Sequence, residues 1–260
     1  MTTGYTLTLT DGVATLTVDR PAQRNALDVP LLTRLVEVVA GLGADPAVRA
    51  LVLTGGGEKS FIAGADINDL LGYSPEEARR HIEVGHRLFT LIEELPFATI
   101  AAVNGYCLGG GLEIAMACDI RLASANARFG QPEITIGMPC GWGGTQRLQR
   151  LIGQSRAKYL MLTGTMIDAE QAQAAGLVAE VLPEVTGLRE RAAALAQRLA
   201  GYSPVVMRAT KLMIADSHRA SAREVAQRDE LALAYLMTTQ DAREGLTAFL
   251  EKRPADYRGL

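Results

Sequence analysis

The stretch Ala102–Asp119, AVNGYCLGGGLEIAMACD, decides how this chain is read. A β-branched, apolar run from Ala98 to Val103 leads into Asn104-Gly105, and three glycines, Gly109, Gly110 and Gly111, precede a helix-like segment. Glycines let a backbone approach a bulky group without interference from Cβ. The first turn of a helix offers unpaired N–H groups with partial positive charge. Such a place suits a carbonyl oxygen that becomes negative during a reaction, and Glu113 in that turn can handle a proton beside it. The plainer reading is an ordinary strand–glycine–helix junction with a Glu favoured by the helix dipole.

Working outward, Tyr5 to Val18 alternates on either side of Asp11-Gly12, a hairpin signal. Leu27 to Leu42 has helical spacing, and Arg49 to Thr54 reads as a short buried strand. Gly55 to Leu70 reads as a loop entering a helix start at Asp66. Its opening lacks the G-K-[S/T] ending of a phosphate loop, with Glu58 in the way. Ser74-Pro75-Glu76-Glu77 opens a helix running to about Glu94, which Leu95-Pro96 ends. Beyond the central helix, Ile120–Ala123 and Arg128–Phe129 read as short strands, and the loop Gly137 to Gly144 carries the only tryptophan, Trp142. From Thr145 the pattern is helical, apart from a strand at Leu177–Val181. Strands stop between Pro183 and Tyr202. The order of elements indicates an α/β protein, with a core over 1–195 and an all-helical C-terminal region over 196–260.

Composition narrows the function. Apolar residues make up 48% and charged residues 21% of 260, and the formal net charge is −3. That charge gives no pull toward nucleic acid or anionic membrane. No apolar run approaches a membrane span and the N-terminus has no signal-peptide pattern, so a soluble, cytoplasmic protein is expected. Cys107, Cys118 and Cys140 lack C-x-x-C spacing and read as reduced thiols. His81, His86 and His218 form no metal-ligand pattern with them and read as solvated helix residues, so no metal is expected. A dinucleotide site is disfavoured by Ile114 and by Asp119 standing too near the glycines.

Several linked motifs then share one resemblance: FIAGADI (Phe61 to Ile67), AVNGYCLGGGLEIAMACDI (Ala102 to Ile120), RFGQPEITIG (Arg128 to Gly137), GGTQRL (Gly143 to Leu148) and EGLTAFLEKRPADY (Glu244 to Tyr257). Along nearly its whole length the chain resembles the enoyl-CoA hydratase/isomerase family, the crotonase superfamily. The resemblance implies a spiral of ββα repeats, a helical C-terminal region serving trimerisation and covering the active site, and assembly as a homotrimer or a hexamer of paired trimers. It implies an acyl-CoA thioester substrate and no separate cofactor, coenzyme A being part of the substrate. It places the oxyanion-hole N–H groups on Ala65 and Gly110 and the two hydratase carboxylates on Glu113 and Glu133. Substrate or CoA contacts fall by motif position on Ala63, Gly64, Asp66, Ile67, Gly109 and Gly141.

Adding water across a 2-enoyl thioester needs a base, an acid and stabilisation of an enolate-like oxygen, and this set supplies all three. Two carboxylates favour hydratase over double-bond isomerase, while hydration coupled to cleavage of the acyl group stays open as an alternative that the product would distinguish. Outside those roles, Glu133 would be a capped or salt-bridged strand-end residue. Arg24 and Lys252 are either neighbours of the CoA phosphates or adenine, or solvated side chains. The loop Met138-Pro139-Cys140-Gly141-Trp142 departs from the hydratase pattern, its proline one place early. Trp142 either reshapes the acyl pocket or is a core or trimer-contact residue. An RNA-binding relative is disfavoured because Leu27–Leu42 contains no lysine.

Overall fold

The structure, a computed structural model, describes residues 4–217 and 220–260. Strands β1 (Tyr5–Thr10) and β2 (Val13–Val18) form an antiparallel hairpin. Asp11 and Gly12 both hold positive φ at its turn, as an Asp-Gly hairpin requires. Helix α1 (Val29–Ala44) follows, capped by the Asp28 side chain, which accepts from Leu31 N at 2.7 Å. Next come β3 (Ala50–Gly55), β4 (Ser60–Ile62), the single turn α2 (Ile67–Leu70) and α3 (Pro75–Glu94). A Ser74–Glu77 capping box starts α3. The central unit is β5 (Ala98–Val103), β6 (Tyr106–Leu108) and α4 (Gly110–Ala117). It is followed by β7 (Ile120–Ser124), β8 (Arg128–Gly130), a 3-10 turn at Pro132–Ile136, α5 (Gly144–Ile152) and α6 (Gln154–Thr163). Then come β9 (Ile167–Asp168), α7 (Ala169–Ala174), β10 (Glu180–Leu182), α8 (Val185–Ala200), α9 (Pro204–Ser217), α10 (Ala222–Leu236) and α11 (Gln240–Glu251).

From β3 to β8, each turn of the spiral sends its two strands to different sheets. The first strand joins a six-stranded sheet ordered β1-β2-β3-β5-β7-β10, the second a four-stranded sheet ordered β4-β6-β8-β9. Except for the β1–β2 and β8–β9 pairs, neighbours run parallel. The second sheet corrects the sequence reading, which left Ser60–Ile62 inside a loop and joined β7 and β8 as neighbours around one turn. The apolar run in β5 has its cause here: Ile100 and Ala102 face α8, while Ala101 and Val103 face the core shared with α1, α3 and α4. A parallel strand covered on both faces has no reason to alternate.

The expected boundary at 195/196 falls inside α8. Leu188, Ala192, Leu195, Ala196 and Ala200 pack as one face against β3 and β5, so α8 belongs to the sheet from end to end. The helices that follow are tied on by Lys211, whose ammonium pairs with Asp119 at 2.8 Å and donates to Phe97 O at 2.9 Å. Among the described residues no helix is long and apolar enough to cross a membrane.

Asn104 bolts the two sheets together where β5 turns into β6. Fully buried, its amide donates to Gly55 O at 2.9 Å and Gly57 O at 2.9 Å, and its oxygen accepts from Gly55 N at 3.1 Å. Removing it strands the N–H and carbonyl of buried Gly55, each costing about 1–3 kcal/mol. Asn104→Ala is expected to lower stability by about 2–4 kcal/mol in urea unfolding. A loss below about 0.5 kcal/mol, the size of an ordinary surface change, would reject this role.

Candidate active site

Three glycines start α4, and each omits a Cβ for a different neighbour. Gly109 holds φ +51° and ψ −124°, and a Cβ there would stand 3.0 Å from the Glu133 carboxylate. On Gly110 it would meet the Trp142 ring at 2.3 Å, and on Gly111 the Ile62 carbonyl oxygen at 1.9 Å. The helix start is therefore pressed against a carboxylate, an indole and strand β4 at once. Gly110, the first residue of α4, has no intrahelical acceptor for its N–H. The Ala65 N–H is likewise taken up by no turn, loop or cap hydrogen bond, whereas its neighbours Ala63 and Asp66 donate to Arg24 O and Leu27 O. A Cβ on Gly64 would lie 4.0 Å from Gly110 N, which sets the Ala63–Ala65 segment beside the start of α4.

Glu113 is buried in the first turn of α4, and its Oε1 accepts from Trp142 N at 2.8 Å and Gly144 N at 2.7 Å. Burial raises its pKa, and these two N–H donors and the Arg147 charge oppose the rise. Burial pushes the Glu133 carboxyl up to about 7, with the nearby Glu113 charge adding to the rise. Gln131, fully buried, orients its amide nitrogen toward Glu133 and donates to its two oxygens at 2.8 and 3.1 Å. The two carboxylates titrate as an interacting pair, with Glu133 the one poised to carry a proton near neutrality.

The loop that supplies both N–H donors to Glu113 is clamped from behind. Arg147, buried on α5, donates to Trp142 O at 2.6 Å and makes a two-pronged pair with Glu93, both distances 2.8 Å. Gly143, at φ +95°, leaves room for that guanidinium, which a Cβ would meet at 2.3 Å. Trp142 lies in a slot between α3 and α4 floored by glycines: a Cβ on Gly85 would touch its Nε1 at 2.2 Å. Phe89 meets its ring edge-on at 5.5 Å and His81 at 4.9 Å.

One cavity of about 190 Å³ gathers most of the residues named from the sequence. Ala63, Gly64, Ala65 and Ile67 line one side of it and Gly109, Gly110 and Glu113 the floor. Glu133, Gly141 and Trp142 complete that set. Asp66 does not line it; its carboxylate caps α2 by accepting from Asn68 N at 3.1 Å. Arg24 lies over the Tyr106 ring, 5.7 Å from its centroid, and Lys252 is the exposed left-handed cap of α11, so neither reaches the cavity within this chain. Trp142 is both buried and part of the cavity wall.

His81 corrects the sequence reading outright. Expected to be solvated, it is 3% exposed, packs between Tyr73 and Trp142 and lines the cavity. His86 is exposed, and His218 lies outside the described residues. Gln131, Arg147 and Met138 were also missed as site residues. The signal for His81 was present, because His81, Gly85, Leu88 and Ile92 follow the 4-3-4 spacing of a helix face turned to the core.

The site can now be set beside known proteins. The family model described as enoyl-CoA hydratase/isomerase matches residues 8–259. The chain belongs to that family. A protein of Syntrophomonas wolfei called crotonyl-CoA hydratase is 43% identical over 251 residues, covering 94% of both chains. A short-chain-enoyl-CoA hydratase of Clostridium acetobutylicum is 41% identical over 93% of this chain and 92% of its own. The crystal structure of an enoyl-CoA hydratase from Bacillus anthracis superposes with a TM-score of 0.95 at 37% identity, covering 99% of this chain and 100% of that one. The spiral of ββα turns with a helical C-terminal region is therefore the crotonase fold of the enoyl-CoA hydratase/isomerase family.

The Glu133 environment has a consequence for stability. Its carboxyl is raised from 4.5 to about 7, so folding favours the protonated form. That preference is whole below the unfolded value and is lost as pH rises through the folded one. Glu133→Gln is therefore expected to match the wild type in stability near pH 4. Above pH 8 it should exceed it by on the order of 1–2 kcal/mol, after allowing for the solvent that reaches the carboxylate. Thermal unfolding across that range measures it, and a pH-independent difference would refute it.

Proposed function

We propose that this chain adds water across the 2,3 double bond of short 2-enoyl-CoA thioesters, giving 3-hydroxyacyl-CoA. The observation that carries the proposal is the convergence of Glu113, Glu133 and the Ala65 and Gly110 backbone on one cavity. The thioester oxygen sits between the two free N–H groups, which stabilise the negative charge it gains. One such donor is worth about 3–4 kcal/mol in the transition state. Glu113, with two N–H groups on Oε1 favouring its ionised form, is the base that activates water toward C3. Glu133, held near neutrality by burial, delivers the proton to C2. Among the described residues no Lys or Arg lines the cavity, so the enolate oxygen depends on backbone dipoles rather than a side-chain cation. Coenzyme A enters as part of the substrate. The relatives called crotonyl-CoA and short-chain-enoyl-CoA hydratase support a short acyl group.

Loss of enoyl absorbance with crotonyl-CoA tests this directly. Glu113→Gln and Glu133→Gln are each expected to lower kcat by about 10²–10⁴ with the fold intact. A product with a shifted double bond instead of a 3-hydroxyacyl thioester would overturn the assignment.

The assembly belongs to the same proposal: a homotrimer, alone or paired into a hexamer. Supporting it, α10 has no buried residue, while Leu231, Tyr235, Phe249 and Leu250 on α10 and α11 are exposed, Phe249 at 82%. Apolar surface of this extent on a helical region calls for a covering partner. Light scattering should give three or six times 27.8 kDa; a monomer at micromolar concentration would reject the assembly.

A further inference from the structure

His81 is a buried polar group that the proposed reaction does not use. It is 3% exposed and stacked against Trp142 at 4.9 Å and Tyr73 at 5.7 Å, and neither ring nitrogen has a hydrogen-bond partner in the protein. Buried polar groups are nearly always paired, and one left unpaired costs about 1–3 kcal/mol. A helix position on a core face that could hold Leu or Phe thus carries a group that needs a partner.

The ring's geometry says what kind of partner. Nδ1 is sealed off and unpaired. Nε2, equally unpaired, is not among the sealed atoms, and the ring lines the catalytic cavity. Burial lowers the pKa of His81, with the Asp69 charge only partly opposing, so the imidazole is neutral. A neutral imidazole carries one N–H. Nδ1 stays unpaired in either tautomer, and a sealed N–H is the rarer kind of orphan, so the hydrogen is placed on Nε2, directed toward the cavity. The ligand atom that answers it is an acceptor oxygen.

Position follows from the wall. The Trp142 ring covers Gly110 and also packs against His81, so the imidazole and the oxyanion-hole glycine touch the same indole. Glu113 and Glu133 occupy the reacting end, and the aliphatic Leu70 and Ile82 line the cavity with His81. An acyl tail a few carbons beyond C3 passes the ring. A terminal carboxylate is disfavoured there, because among the described residues no Lys or Arg lines the cavity and both catalytic groups are acidic.

We infer that His81 is a specificity residue, donating from Nε2 to a neutral oxygen, a keto or hydroxyl group, on the acyl tail of a 2-enoyl-CoA substrate. The inference rests on the thioester reading above and extends it to the substrate's class.

Calorimetry with saturated thioesters, which cannot be hydrated, separates this from catalysis. Hexanoyl-CoA, 5-oxohexanoyl-CoA, 6-hydroxyhexanoyl-CoA and adipyl-CoA are titrated into wild type, His81→Phe and His81→Gln, each checked for folding by thermal melt. Wild type is expected to bind at least one of the two neutral oxygenated ligands about three- to tenfold more tightly than hexanoyl-CoA, the range for one net hydrogen bond. His81→Phe should abolish that ratio and His81→Gln, which keeps a donor, restore part of it. Equal wild-type affinities, a ratio that survives His81→Phe, or a preference for adipyl-CoA would each overturn the inference. Failure to hydrate any 2-enoyl-CoA, run in parallel, would sink the hydratase reading while the binding ratios still decide the role of His81. Should no thioester bind, both readings fall together.

Discussion

The whole site depends on the absence of side chains at one helix start. At Gly109, Gly110 and Gly111 a carboxylate, an indole and a strand carbonyl close on a single turn of α4, each nearer than a Cβ would allow. That approach holds α4 against β4, leaves Gly110 lining the cavity and puts Glu113 within reach of the Trp142–Gly144 backbone. The contacts are mutually dependent. Trp142 can cover Gly110 only because Gly85 also lacks a side chain, and the loop bearing Trp142 is fixed by the same N–H groups that hold Glu113. Alanine at any of these positions would therefore disturb packing and chemistry together, through overpacking rather than lost attraction.

Much of this was legible in the sequence because the signals are local. The Asp-Gly hairpin, the Ser-Pro-Glu-Glu start of α3 and the largely apolar β5 each fix their own backbone, and the structure has them where those residues place them. The second sheet was not legible. Its strands Ser60–Ile62, Tyr106–Leu108 and Arg128–Gly130 are three residues long, too short to show a period of two, and they exist only because neighbouring turns of the spiral stack. The boundary expected at 195/196 rests on a different kind of signal. Composition marks where strands end, but α8 is held to the sheet by side chains spaced along its full length.

Site residues divide the same way. The glycines and the two glutamates announced themselves by motif, whereas Gln131, Arg147 and His81 act through partners distant in sequence. Arg147 meets Glu93, 54 residues away, so nothing in the GGTQRL segment alone says that its arginine is a clamp. For His81 the helical spacing pointed inward, and residue type, read as a sign of exposure, outweighed it. A core-facing position occupied by a polar residue is the more informative observation.

The same electrostatics that suit the proposed reaction also protect it. Cys140 sits beside Gly144 and Glu113, in the place where the loop departs from the hydratase pattern. A thiolate beside these carboxylates would be a reactive group, since the thiolate and not the thiol attacks. Burial pushes the Cys140 thiol up to about 11, and the charges of Glu113 and Glu133 add to the rise. The charges of Glu113 and Glu133 thus help keep the neighbouring sulfur protonated. Burial and those charges act in the same direction, so the loop carries its sulfur as the thiol, the form that does not attack.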